Sequence, residues 1–273
     1  MHIEIDNCKI AYIEINPGAN NTIFFIPGNS VTKRIWSKQL ESTLFSGYRL
    51  IAIDLPASGS SGMTAETNYT LKGLAELLCK IVNKLIDGKP YIIAGVSLGT
   101  NIIAEMLDFA IHPLGLVLAG PCIFGTNCKV ENIAKPGAHV GVVFVDHAED
   151  EDVLSYANEV LISGDEENIK MFVEDYKSVQ SPFRSVLAKS IAEGNFNDEI
   201  ALLNKKNIPA LIVFGKDELV EDCDYLDNEQ LPLWNKTIYK IPGASHLVNV
   251  DSPKIFNKLL AEFAKDIFIT DVA

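Results

Sequence analysis

The chain lacks an excess of basic residues: 23 Lys and Arg stand against 36 Asp and Glu, for a formal charge of -13. A surface of that sign repels phosphate polyanions, which excludes nucleic acid as a partner and disfavours anionic membranes. There is also no apolar run approaching the roughly 20 residues that a helix needs to cross a bilayer. Met1-His2-Ile3-Glu4-Ile5-Asp6 alternates like a strand and does not open basic and then apolar, as a secretory signal does. A soluble, cytoplasmic protein is expected. The five cysteines, Cys8, Cys79, Cys122, Cys128 and Cys223, are odd in number and lack CxxC spacing, so neither a disulfide framework nor a zinc site is suggested. They read as small apolar core or surface residues. Internal repeats and low-complexity tracts are absent, and nothing in the chain sets an oligomeric state.

What the chain does have is apolar material. At 273 residues and 48% hydrophobic, it can bury the core of one large domain with an insertion. Lys9 to Ile15 and the preceding alternation form a hairpin that turns near Asn7. Short runs rich in β-branched and aromatic residues follow: Thr22–Ile26, Arg49–Ile53, Tyr91 to Gly95 and Gly115–Ala119. Between them lie helical patterns, clearest in Leu71, Leu74, Leu77, Leu78, Ile81, Val82 and Leu85. Continuous apolar strands alternating with helices imply an α/β fold whose mostly parallel sheet is flanked by helices on both faces. After Gly120-Pro121 the rhythm breaks into acidic, helix-like sequence. It resumes at Ala210–Phe214 and Thr237–Ile241, ahead of a last helix over Pro253 to Phe268. The core domain is therefore expected over 1–123 and 206–273, with a helical cap over 124–205.

Gly95-Val96-Ser97-Leu98-Gly99 sits between the run Tyr91-Ile92-Ile93-Ala94 and a helical stretch over Asn101 to Phe109. Strand, sharp turn and helix are the context in which Gly-x-Ser-x-Gly exposes a nucleophilic serine, and without that context such a serine is only a turn. Ser97 needs a general base and a carboxylate to orient that base. Of the five histidines, His246 alone stands in a loop just after a late core strand, Pro242-Gly243-Ala244-Ser245-His246. The acid should follow the preceding strand, in Gly215-Lys216-Asp217-Glu218. Asp217 is the more familiar residue type, whereas Glu218 stands three residues after Gly215, the spacing common in enzymes of this design. Glu218 is favoured and Asp217 is the alternative; Glu221, Asp222 and Asp224 read as a solvated face. Oxyanion donors are expected from the backbone N–H of Leu98 and from Asn29, in Ile26-Pro27-Gly28-Asn29-Ser30 after an earlier strand. The Asn29 side chain is a further candidate polar contact.

In the order Ser97, Glu218, His246 the chain resembles the α/β-hydrolase fold family over nearly its whole length. Asp54-Leu55-Pro56-Ala57-Ser58-Gly59-Ser60-Ser61 looks like that family's Asp-x-Pro-Gly-x-Gly-x-Ser loop, and Trp36 stands where many members carry a tryptophan. There are departures: Pro27-Gly28 replaces a His-Gly pair, Ala57 and Ser58 replace Gly and His, and Thr100 replaces a glycine. A narrower similarity is to the metal-independent N-acyl-homoserine lactonases of this fold. It rests on Gly28-Asn29-Ser30, the Gly215–Glu218 loop, Asp152-Val153-Leu154-Ser155-Tyr156 and Leu233-Trp234-Asn235-Lys236-Thr237, the last placed ahead of the final strand. That resemblance implies Glu218 as the acid, Asn29 and Leu98 as oxyanion donors, and Tyr156 as a cap residue facing the lactone; as a plain helix residue Tyr156 would only pack the cap. Gly28, Ser30 and Phe124 join the expected substrate contacts, and Phe172 and Phe183 would serve an acyl chain if they face the cleft. The clustered histidines of metal-dependent lactonases are absent.

These readings converge on a serine hydrolase cleaving a small carboxylic ester or lactone through an acyl-enzyme, with no metal and no cofactor. A triad-containing ligand receptor, or an acyltransferase or perhydrolase, would use the same machinery. The thioester and carbon–carbon substrates also remain open, while a serine at position 97 argues against the branches that need an Asp nucleophile.

Overall fold

Segments such as Thr22-Ile23-Phe24-Phe25-Ile26, apolar at nearly every position, bury their side chains only when both faces of a sheet are covered. The computed structural model describes residues 1–270, and there these segments become the centre of an eight-stranded sheet. The strands are β1 (His2–Ile5), β2 (Cys8–Ile15), β3 (Thr22–Ile26), β4 (Arg49–Ile53), β5 (Tyr91–Val96), β6 (Gly115–Ala119), β7 (Ala210–Gly215) and β8 (Leu233–Ile241). They lie in the order β1-β2-β4-β3-β5-β6-β7-β8. The β1–β2 hairpin and the β2–β4 pair are antiparallel, and every pairing from β4 through to β8 is parallel.

The helices are α1 (Ser37–Leu40), α2 (Leu71–Ile86), α3 (Leu98–Met106), α4 (Val130–Ile133), α5 (Asp150–Val160), α6 (Glu166–Ser178), α7 (Phe183–Ala192), α8 (Glu199–Lys206), α9 (Val248–Asp251) and α10 (Pro253–Thr270). Because strand side chains alternate, β3 sends Phe24 and Ile26 to one face and Ile23 and Phe25 to the other. The first pair packs with Leu74 and Leu78 of α2 and Ile102 of α3, the second with Trp36 and with Phe256, Leu260 and Phe263 of α10. Burying each such side chain contributes about 1.5–3 kcal/mol. The α2 helix starts at Thr70, whose hydroxyl accepts from the Gly73 amide, and stops at Asp87 in the left-handed conformation (φ 52).

Between β6 and β7 the described chain is helical, carrying α4 to α8 with one isolated bridge from Ala134 to Glu221. Buried polar ties hold this segment to the loop after β3 and to α3. Asp175 of α6 accepts from the Thr32 amide and hydroxyl, both at 2.9 Å. Arg184 of α7 donates to the Ser30 hydroxyl at 2.9 Å, and Glu199 of α8 accepts from Asn101 at 2.8 Å and from the Phe124 amide at 2.7 Å.

Two expected boundaries move. Helix α3 begins at Leu98, directly after the serine, and ends at Met106; Leu107 to Phe109 continue only as turns. Leu233–Thr237 lies inside β8 and not ahead of it. This edge strand is half exposed, so it has no continuous apolar run, and a register shift against β7 accommodates Asn235 and Lys236 at positive φ. Ala57 also takes a positive φ of 58, which accounts for the glycine usual at that point. The buried Asp54 carboxylate organises this turn by accepting from the Lys33 and Ser60 amides at 2.8 and 3.0 Å.

Candidate active site

The parallel strands end side by side at one edge of the sheet, and the loops leaving β3, β5, β6, β7 and β8 meet there. Ser97 follows β5 with φ 54 and ψ -127, a conformation that costs an L-residue about 1–3 kcal/mol and holds its side chain off the end of the strand. The flanking glycines make so sharp a turn possible. A Cβ on Gly99 would stand 2.7 Å from the Ile26 carbonyl oxygen, and one on Gly95 would stand 2.6 Å from the Gly99 backbone. Thr100 donates its hydroxyl to the Ser97 carbonyl at 2.7 Å.

His246 lies in the loop between β8 and α9, pinned by hydrogen bonds from the Leu247 amide to the Val160 carbonyl and from the Ser245 amide to Asp251. Its Nε2 stands 2.9 Å from the Ser97 Oγ, and its Nδ1 stands 3.2 Å from Oε2 of Glu218. Glu218 is buried, and its other oxygen accepts from the Val220 and Glu221 amides at 2.9 and 3.3 Å. Asp217 does not join this group: it is exposed and accepts from the Gly243 amide at 2.7 Å. Of the two candidate acids, Glu218 is the one on the imidazole. Adjacent positions in this irregular loop face opposite ways, and the backbone amides of residues 220 and 221 hold Glu218 inward.

A cavity of about 150 Å³ opens on the serine. Asn29, Leu98, Phe124 and Tyr156 line it, together with Ser97 and His246. Among the described residues neither the Asn29 nor the Leu98 amide donates to a protein acceptor. The Asn29 side chain, expected as a further polar contact, is instead occupied: its Nδ2 donates to the Val143 carbonyl at 2.7 Å and its Oδ1 accepts from Ser30. Gly28 and Ser30 do not line the cavity. Gly28 lets the loop pass the nucleophile, since a Cβ there would come 3.0 Å from that of Ser97, and Ser30 is buried against Arg184. Phe172 and Phe183 are likewise packing residues, against Tyr156 and Tyr69 respectively, so of the three phenylalanines that would suit an acyl chain only Phe124 lines the cavity. Its remaining apolar wall is Ile133, Ala134, Val140, Val143, Phe144 and Ile191.

Three polar lining residues were missed from the sequence: Asn101, Cys122 and Glu221. Glu221 corrects the expectation of a solvated face. It is buried, and its Oε2 stands 3.8 Å from Nδ1 of His246. Cys122 was legible in one respect, because it closely follows β6, beside the serine strand. Nothing in Leu219-Val220-Glu221-Asp222 marks the third residue as the inward one. Burial alone would lower the proton affinity of His246, but the facing carboxylates of Glu221 and Glu218 outweigh it and raise the pKa above the ordinary histidine range. Burial raises that of Glu221, with Glu218 adding to the effect and His246 opposing it. Among the described residues no cluster of three or more His, Cys, Asp or Glu is placed to hold a metal, and no helix is long and apolar enough to cross a membrane.

A parallel sheet with a strained serine after its fifth strand, and a histidine and carboxylate reaching it from later loops, defines an α/β protein of the serine-elbow class. The chain belongs to the alpha/beta hydrolase family, whose model matches residues 23–259. A sequence relative is the uncharacterized hydrolase YugF of Bacillus subtilis (strain 168), 24% identical over 236 residues, covering 80% of this chain and 81% of YugF. The monoacylglycerol lipase ABHD6 of Bos taurus is 19% identical over 265 residues, covering 93% and 78%. Among solved structures, N-acyl homoserine lactonase AidH complexed with N-butanoyl homoserine superposes with a TM-score of 0.88 at 24% identity, covering 98% of this chain and 96% of that one. Esterase RhEst1 from Rhodococcus sp. ECU1013 superposes at 0.80 with 20% identity, covering 97% and 98%. At these identities the superpositions show the shared fold.

Proposed function

We propose that this protein is a serine hydrolase that cleaves a small carboxylic ester or lactone, N-acyl homoserine lactones included, with Ser97, His246 and Glu218 as its triad. The observation that carries the reading is the continuous line from Glu218 Oε2 through the imidazole to the Ser97 Oγ, with spacings of 3.2 and 2.9 Å, at the mouth of an apolar cavity. The lipase, esterase and lactonase named above, similar in sequence or in fold, support ester chemistry.

In this mechanism Ser97 attacks the substrate carbonyl carbon while Nε2 of His246 takes the hydroxyl proton. Glu218 holds the ring in the required tautomer and faces the imidazolium as it forms. The oxyanion settles against the amides of Asn29 and Leu98, each worth about 2.7–4 kcal/mol in the transition state. His246 returns the proton to the leaving alkoxide; in a lactone that alcohol stays tethered to the acyl group. Water then repeats the sequence on the acyl-enzyme and releases the acid. Residues 124–205 act as the cap, with Phe124 and Tyr156 facing the acyl group.

The test is a panel of homoserine lactones of graded acyl length beside simple esters and thioesters, read as kcat/KM. Steady turnover with short acyl chains preferred is expected, because the enclosed volume is only about 150 Å³. A single stoichiometric burst without turnover would instead mark a ligand receptor. Products formed only when an alcohol or peroxide acceptor is added would mark a transferase or perhydrolase.

A further inference from the structure

The triad uses one carboxylate, yet a second one reaches the same nitrogen. Glu218 Oε2 is 3.2 Å from Nδ1 of His246, and Glu221 Oε2 is 3.8 Å from it, too far for a hydrogen bond. That Glu221 oxygen is buried without a hydrogen-bond partner, a costly arrangement that calls for an explanation. We propose that Glu221 is a positioning residue for the reaction: its charge, opposite Nδ1, sets how tightly His246 holds a proton and thereby the pH at which the site becomes active. The proposal rests on the reading of His246 as the general base.

The division of labour follows from the contacts. Glu218 is fixed by two backbone amides and bonded to the ring, so it orients. Glu221 makes no bond to the ring, so it acts through charge, which is effective at 3.8 Å in a buried site. Apart from the Cys122 thiol, whose hydrogen bond to the Glu221 carboxyl group favours its charged form, the other titratable groups packed here do not compensate it. Cys122 from the loop after β6, Tyr156 from α5 and Tyr225 from the loop before β8 have their pKa values raised well above normal, chiefly by burial, and stay neutral. Burial also pushes the pKa of Glu199 of α8 well above the ordinary carboxylate range. Lys135 donates to the Glu218 carbonyl, and Asp251 accepts from the Ser245 amide.

The sign follows. While Glu221 is ionised it favours imidazolium, so a proton must leave the pair before His246 can accept one from Ser97. The acid limb of activity therefore lies above the ordinary histidine range. Once that proton has gone, the same charge makes His246 a stronger base and stabilises the imidazolium formed in the transition state. Removing the charge moves the two effects in opposite directions.

The experiment is the pH profile of kcat/KM for the wild type, Glu221→Gln and Glu221→Asp, with an NMR titration of the His246 ring in each. In Glu221→Gln the acid limb and the His246 titration move down by about one pH unit or more, and the high-pH plateau falls. Glu221→Asp, which keeps the charge, retains a raised limb. An unmoved limb and titration in Glu221→Gln overturns the proposal. So does a wild-type His246 that titrates at or below about 6.5, a result that needs no variant to fold. The ring titration needs no turnover, so a chain without ester hydrolysis would sink the functional reading while leaving the Glu221–His246 coupling measurable.

Discussion

Ser97→Ala lowers kcat for ester hydrolysis by on the order of a millionfold, the scale of loss seen when the nucleophile of a serine triad is removed. The size of the effect comes from the unity of the arrangement. Without the Oγ that stands 2.9 Å from His246, the base has nothing to activate and Glu218 orients it to no purpose. Binding is expected to survive, because the cavity wall from Phe124 to Ile191 does not depend on the hydroxyl. The variant should therefore keep substrate affinity while losing turnover, which single-turnover kinetics and ligand titration measure separately. Stability should change little: alanine at φ 54 carries the same backbone strain, and the cost is the lost partner of Nε2 on the buried His246.

Glu218→Gln should lower kcat about ten-thousandfold, and Asp217→Asn should change it little. An amide at position 218 can present its NH₂ to Nδ1 and stabilise the wrong tautomer, in which Nε2 carries the proton and cannot accept one from Ser97. It also leaves the Val220 and Glu221 amides, now 2.9 and 3.3 Å from a carboxylate oxygen, facing a weaker acceptor. Asp217 only ties the exposed Gly243 amide, a contact worth about 0.5–1.5 kcal/mol to folding at most. Steady-state kinetics of the two variants under one set of conditions checks the ranking. The opposite order would move the acid to Asp217.

The central strands were legible because burial on both faces demands apolar residues at every position. Thr22–Ile26, Arg49–Ile53 and Gly115–Ala119 begin and end as their composition indicates. The strand β8 was read short because its first half is an exposed edge, where no such demand operates. That Ser97, Glu218 and His246 come together was legible from their positions after strands, since loops leaving adjacent parallel strands converge. The direction of a side chain within a loop follows no period. That is why Ser30 was expected at the substrate and is packed on Arg184, and why Glu221 was expected in solvent and faces His246. The orientation of Phe172 and Phe183 was not legible for a related reason: in a helical segment that must also pack on itself, an aromatic residue fills the core as readily as the cleft.

The account stands most directly on one bond-forming event at one residue. An alkyl fluorophosphonate incubated with the protein should add a single phosphonyl group, and peptide mass spectrometry should locate it on Ser97, with labelling abolished in Ser97→Ala and strongly slowed when His246 is replaced by Gln. Labelling at another side chain, or no labelling of a folded protein, would contradict the assignment of Ser97 as an activated nucleophile.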